Sequence, residues 1–157
     1  DLLAEDRLST GAIFHTMCEE DVERVMRWPR CMVGTDGAFD PGQKGAHPRT
    51  FATFPRVLGR YVREKGVLTL EDAVRKMTYL PAMVYDLPTK GLIREGMDAD
   101  LVLFDPETIA DRADYAHPDA PCVGLRWVMV AGQMAVSEGK STGVLAGKQL
   151  RYAGSVR

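Results

Sequence analysis

Apolar positions along the chain change period several times, and each change predicts an element. Residues 1–7 read as the end of a helix, and residues 10–16 (TGAIFHT) form a short apolar run suited to a buried strand. Helical spacing returns over residues 19–28, where Val22, Val25 and Met26 fall at i, i+3 and i+4. Pro29 ends that helix, because proline has no N–H for the ladder and restricts the residue before it. Residues 31–34 (CMVG) then read as a second buried strand running into Thr35, Asp36 and Gly37. Strand, helix and strand at this tight spacing predict parallel βαβ construction.

Residues 37–50 (GAFDPGQKGAHPRT) show no periodicity. Structureless loops beyond about 12–15 residues are usually functional or disordered, so this one is a candidate active-site cover and equally a candidate floppy segment. Two helices follow. In the first, Phe54, Val57, Leu58, Tyr61 and Val62 form one apolar stripe, Thr53 is the expected cap, Pro55 the first-turn proline and Gly66 the stop. In the second, TLED at 69–72 matches a capping box, and Leu70, Ala73, Val74 and Met77 line one face. Pro81 opens a third, short helix through Tyr85. After Asp86, glycines and prolines punctuate short runs, of which residues 100–105 (DLVLFD) are the clearest strand and 107–124 a loop. Residues 126–130 and 133–137 pair as a hairpin around Ala131 and Gly132; since a type I′ turn would demand positive φ at Ala131, another turn type is expected. Arg56, Arg60 and Arg63 lie opposite the apolar stripe and read as solvated, with Arg60 and Glu64 an i,i+4 pair.

Composition removes several functions. With 157 residues, 45% hydrophobic and 27% charged, the chain has the make-up of an ordinary globular protein. A net charge of −2 with no like-charge block gives no footprint for nucleic acid, and no apolar run reaches the ~20 residues of a membrane span. Cys18, Cys31 and Cys122 are odd in number and far apart, which argues against a disulfide framework and a CxxC zinc site and predicts a reducing, cytoplasmic location.

Several segments, in order, carry a family resemblance: MVGTDG at 32–37, HPRTF at 47–51, TFPRVLGRYVRE at 53–64, LEDAVRKMT at 70–78, LPA at 80–82 and GMDADLVLFD at 96–105. The last is shared widely among amidohydrolases, including dihydroorotases and hydantoinases. The HPRTF and TFPRVLGRY segments are more specific, and with them the chain resembles the C-terminal third of the N-acyl-D-amino-acid deacylases (D-aminoacylases). The resemblance implies an α/β fold: the last two βα units of a (β/α)8 metal-dependent hydrolase barrel, with residues 12–16 as strand seven and 31–35 as strand eight, followed by strands of a small β-sandwich. It divides the chain into barrel residues 1–86, sandwich residues 87–147 and a tail, 148–157. A complete barrel takes about 250 residues, so the expectation is a part of a longer enzyme.

The resemblance makes Asp36 the aspartate closing the metal site, a general base taking a proton from a zinc-activated water and passing it to the departing amine. Read from the residues alone, Asp-Gly after a strand is simply turn chemistry, and only the surrounding motifs favour the catalytic role. Arg49 suits a bidentate grip on a substrate carboxylate, and His47 a hydrogen bond to substrate or loop, against the plainer reading of solvated loop residues. Met17, beyond His15 at the end of strand seven, suggests the substrate side-chain pocket, against ordinary rim packing. His117 reads as a solvated loop residue. Zinc belongs to the full-length enzyme in this account. The family's metal ligands precede the region present here, so the isolated chain is expected to hold no zinc beyond a contribution from Asp36, and to be inactive. The expected partner is a small N-acyl amino acid; uncovered barrel edges also predict self-association. The rivals are a cyclic-amide amidohydrolase, of the hydantoinase or dihydroorotase kind, and a non-catalytic interaction module on the same scaffold.

Overall fold

A computed structural model describes residues 2–5, 7, 14–38 and 47–151. Helix α1 (Leu2–Glu5) and helix α2 (Glu19–Met26) come first, and α2 stops where Arg27 caps it, just ahead of Pro29. Val22 and Met26 pack toward the core, whereas Val25 is exposed.

The next helix begins earlier than its sequence suggests. α3 (Arg49–Arg56) starts after Pro48, so Pro55 lies inside the helix rather than in its first turn, and Thr53 bonds back to the Arg49 carbonyl instead of capping. Pro55 has no N–H to give to Phe51, and directly beyond it the helix widens to a π-helical segment, Val57–Glu64, whose end is marked by the five-residue bond from Lys65 N–H to Arg60 O at 2.9 Å. Gly66, at φ 61°, stops the chain as expected: Val67 N–H returns to Tyr61 O at 2.7 Å. α4 (Leu70–Met77) carries the predicted cap, with the Thr69 side chain accepting from Asp72 N–H at 3.2 Å. α5 (Tyr79–Val84) opens two residues before Pro81.

Val57, Leu58, Tyr61, Val67, Leu68, Ala73 and Ile109 form the buried cluster, with Phe104 and Leu125 packed against it. One core therefore joins residues on both sides of Asp86. Ile109 makes the joint: a Cβ on Gly59 would stand 2.7 Å from the Ile109 carbonyl oxygen, and one on Gly124 2.4 Å from its nitrogen. Only glycine permits these approaches. Arg63 donates to the carbonyls of Ile109 (2.6 Å) and Pro106 (3.2 Å), while Arg56 pairs with Asp111 at 3.0 Å and Arg60 with Glu19 at 3.3 Å. The three arginines expected to be solvated thus each reach a distant partner, because the helix face opposite the apolar stripe is flanked by α2 and by the 105–111 segment.

The sheet is antiparallel throughout, in the order β1 (Leu101–Phe104), β2 (Leu125–Val130), β3 (Gln133–Ser137), β4 (Lys140–Ser141). The hairpin falls where expected, but its turn does not have the expected geometry. Ala131 takes φ 48° and Gly132 φ 77°, the two positive angles of a type I′ turn. Outside partners hold it: Ala131 N–H donates to Asp100 Oδ1 at 2.7 Å, and Gly132 N–H to Ala99 O at 3.0 Å.

The barrel strands are a second departure. Residues 14–16 and 31–35 carry no strand ladder, and residues 10–13 lie outside the described residues. A barrel strand is made by neighbours on both sides. The six earlier strands that the resemblance implies are not among these residues, so Val33 N–H turns to the Lys76 carbonyl at 3.2 Å instead.

Candidate active site

Lys76 anchors the segment that leads to Asp36. It is the one buried charged residue among those described, at 1% exposure, and its Nζ donates to the carbonyls of Trp28 (2.5 Å) and Cys31 (3.5 Å), with the Asp72 carboxylate at 3.7 Å. Arg75, one residue earlier on α4, adds a bond to Pro29 O at 2.9 Å and pairs with Asp72. α4 thereby clamps residues 28–33 at several points. The pattern of apolar residues on α4 gave no sign of this, since a lysine next to Met77 reads as the solvent side.

Beyond the clamp the chain turns at Thr35, Asp36 and Gly37. Thr35 Oγ1 accepts Gly37 N–H at 3.1 Å, and Asp36 sits at φ 47°. A Cβ on Gly37 would stand 2.8 Å from Thr50 Cα, so glycine lets the turn lie against the first turn of α3. Asp36 Oδ2 is 3.0 Å from Arg49 Nη2; the Asp36 side chain is 88% exposed and that of Arg49 45%. An ion pair this open contributes little stability, and leaves both groups accessible to a solute.

His47 stands just ahead of α3. Its Nδ1 accepts Arg49 N–H at 3.1 Å, supplying one of the partners that a helix start lacks within the helix. Its Nε2 is 3.5 Å from Tyr115 Oη, and the two rings meet edge to face at 5.3 Å between centroids. His15 meets Tyr115 in the same manner at 5.7 Å. Partial burial, then the neighbouring Arg49 and His15, hold the His47 imidazole below its ordinary pKa, with Asp36 opposing weakly.

Asp36, His47, Arg49 and His15 therefore converge, and Tyr115 with them. Met17 does not join the core packing and the residue is 74% exposed. His117 pairs with Asp114 at 3.3 Å in an exposed turn, the surface role expected of it. Tyr115 was absent from the sequence candidates. Its signal is the turn around it: the Asp114 carboxylate accepts the N–H of Ala116 (2.9 Å) and of His117 (2.6 Å), which fixes a loop carrying one aromatic residue.

Among the described residues no three His, Cys, Asp or Glu side chains are grouped to hold a metal ion. Asp36, paired with an arginine, is too small a donor set for zinc. Cys18, Cys31 and Cys122 are free thiols, and burial pushes the Cys122 thiol up. No described helix is long and apolar enough to cross a membrane.

Comparison with known proteins gives a consistent answer. A model of the Amidohydrolase family matches residues 3–136. The D-aminoacylase of Alcaligenes xylosoxydans xylosoxydans is 44% identical over 140 residues, covering 89% of this chain and 28% of that protein. A D-aminoacylase structure, described with a binuclear metal centre, superposes with a TM-score of 0.78 at 42% identity, over 83% of this chain and 27% of that one. An N-acyl-D-glutamate deacylase from Bordetella bronchiseptica, solved with zinc and a phosphonate mimic of the tetrahedral intermediate, gives 0.71 at 43% identity, over 83% and 28%. The chain spans about a quarter of the length of these relatives.

Proposed function

The chain belongs to the amidohydrolase family, and we propose that it is the C-terminal part of a zinc-dependent enzyme that hydrolyses N-acyl-D-amino acids to a carboxylate and a free D-amino acid. The observation that carries this reading is the accessible pair of Asp36 and Arg49, 3.0 Å apart, in a segment that matches the deacylases.

The chemistry assigned to this chain's residues is limited. Asp36 accepts a proton from the water that attacks the acyl carbonyl, and returns it to nitrogen as the C–N bond breaks. Arg49 exchanges its partner Asp36 for the substrate carboxylate, a planar match of fork to fork. His47, capping α3 through Nδ1, holds the backbone from which Arg49 projects. Zinc belongs to the complete enzyme in this reading: Asp36 alone is too small a donor set, and residues 1–157 by themselves are expected to bind no stoichiometric zinc and to turn over no N-acyl amino acid.

The test is genetic, then kinetic. Reading upstream of the Asp1 codon should show an open frame encoding a His-x-His strand and further separated histidines. In that enzyme Asp36→Asn should lower kcat for N-acetyl-D-methionine by about 10²–10⁴-fold with the fold intact, the span of a lost general base. A start codon close to Asp1, or unchanged turnover in the variant, would favour a non-catalytic module.

A further inference from the structure

The loop at 111–121 belongs in sequence to the sheet half of the chain, yet its one tyrosine stands among the site residues. We infer that Tyr115 is a positioning residue of this site: its ring wedges the His47 imidazole in the orientation that caps α3, and so places Arg49.

Arg49 N–H needs an acceptor at the helix start, and His47 Nδ1 is that acceptor at 3.1 Å. An imidazole can accept there only with Nδ1 unprotonated, which puts the neutral ring's proton on Nε2, facing Tyr115 Oη at 3.5 Å. The wall comes from Tyr115, edge to face with His47 on one side and His15 on the other. Tyr115 is itself pinned, because Asp114 takes the two following N–H groups. The Tyr115 ring therefore acts through His47 on the first turn of α3, and the guanidinium of that turn meets Asp36. The ring contact matters more than the hydroxyl, whose distance is at the limit of a hydrogen bond.

The role in catalysis rests on the deacylase reading; the role in the local structure does not, and two readouts separate them. In the 157-residue chain at pH 8, long-range nitrogen–proton NMR should find His47 wholly in the Nε2–H tautomer. Tyr115→Leu should mix the tautomers and speed exchange of the Arg49 amide about five- to tenfold, the loss of one ordinary hydrogen bond. Tyr115→Phe should restore both. Unchanged tautomer and exchange in a folded Tyr115→Leu, or equal loss in Tyr115→Phe, overturns the inference. Should Tyr115→Leu not fold, Asp114→Ala, which frees the loop while keeping the ring, must give the same two changes or the inference falls. In an enzyme containing this chain, Tyr115→Leu should raise KM about tenfold at nearly constant kcat, the mark of lost uniform binding. Full turnover in Asp36→Asn would remove the deacylase reading and leave the NMR result as it stands.

Discussion

The helical and sheet halves of this chain bury their apolar residues to different extents. Of the ten buried hydrophobic residues described, nine lie between Ala52 and Ala82, and the tenth is Ile109. The strands β1 to β4 contain none. Val102 and Leu103, on the edge strand, are exposed. Beside its backbone ladders and the packing of Phe104 and Leu125 on the helical core, the sheet half carries polar ties: Lys90 bonds Asp98 and Asp100, Asp100 takes Ala131 N–H, and Asp105 takes Glu107 N–H. The contrast shows that a shared motif can be a turn device. In GMDADLVLFD the aspartate at 100 shapes the β2–β3 turn, and Phe104 and the bulge beside it aim the strand end at the helical core.

If Ile109 is the joint between the halves, Ile109→Ala should have the largest effect. It should cost about 2–5 kcal/mol in urea unfolding and separate the transition of Trp127 in β2 from the loss of helix. A single transition with unchanged midpoint would show that the halves are not joined there. Lys76→Met comes next: losing charged donors to two carbonyls should cost about 1.5–3 kcal/mol and raise amide exchange over residues 31–36, with the sheet untouched. Thr69→Ala should cost about 0.5–2 kcal/mol, confined to α4, by loss of its cap.

The smallest effect is the most selective, and comes from pH. The Ala131 N–H, then Lys90, hold the Asp100 carboxyl below its usual range, and Lys90 does the same for Asp98. A depressed folded pKa means that the unfolded chain binds protons first. The stabilisation is therefore complete above the ordinary value of 3.8 and is lost as pH falls through the folded values. Lys90, raised by the same partners, gives the mirror case: its share is complete below 10.5 and lost as pH rises through its folded value. Amide exchange at Ala131 should accelerate at both extremes before any change over residues 57–73. Simultaneous loss in both halves would erase the distinction.

His47 supplies a middle-range counterpart. Its depressed pKa disfavours the charged ring in the folded state, so stability should fall as pH drops from 6.5 through the folded value, and Arg49 amide protection with it. The half-covered sheet face and open β1 edge also predict self-association. Monodisperse monomer in light scattering across concentration would count against it.

Much of the helical half was legible in the sequence because its determinants are local. The spacing of Val57, Leu58 and Tyr61, the Thr69 cap and the Gly66 stop each act within a turn or two, and each stands where the pattern put it. The hairpin pairing was legible for the same reason, and Asp36, His47 and Arg49 were named from motifs. The rest depended on contacts between distant residues. Ala131 enters a backbone region alanine disfavours because Asp100, far away in sequence, accepts its N–H. Lys76 is buried because two carbonyls of the 28–31 turn lie over α4, which no helical periodicity can announce. Tyr115 reaches His47 across 68 residues. Residues 14–16 and 31–35 read as strands but form no ladder, since a strand exists only with partners and the pattern supplies none. The sequence by itself determined where apolar faces, caps and turns fall; the tertiary structure decided which polar groups meet, because such meetings are fixed by packing at long range and not by period.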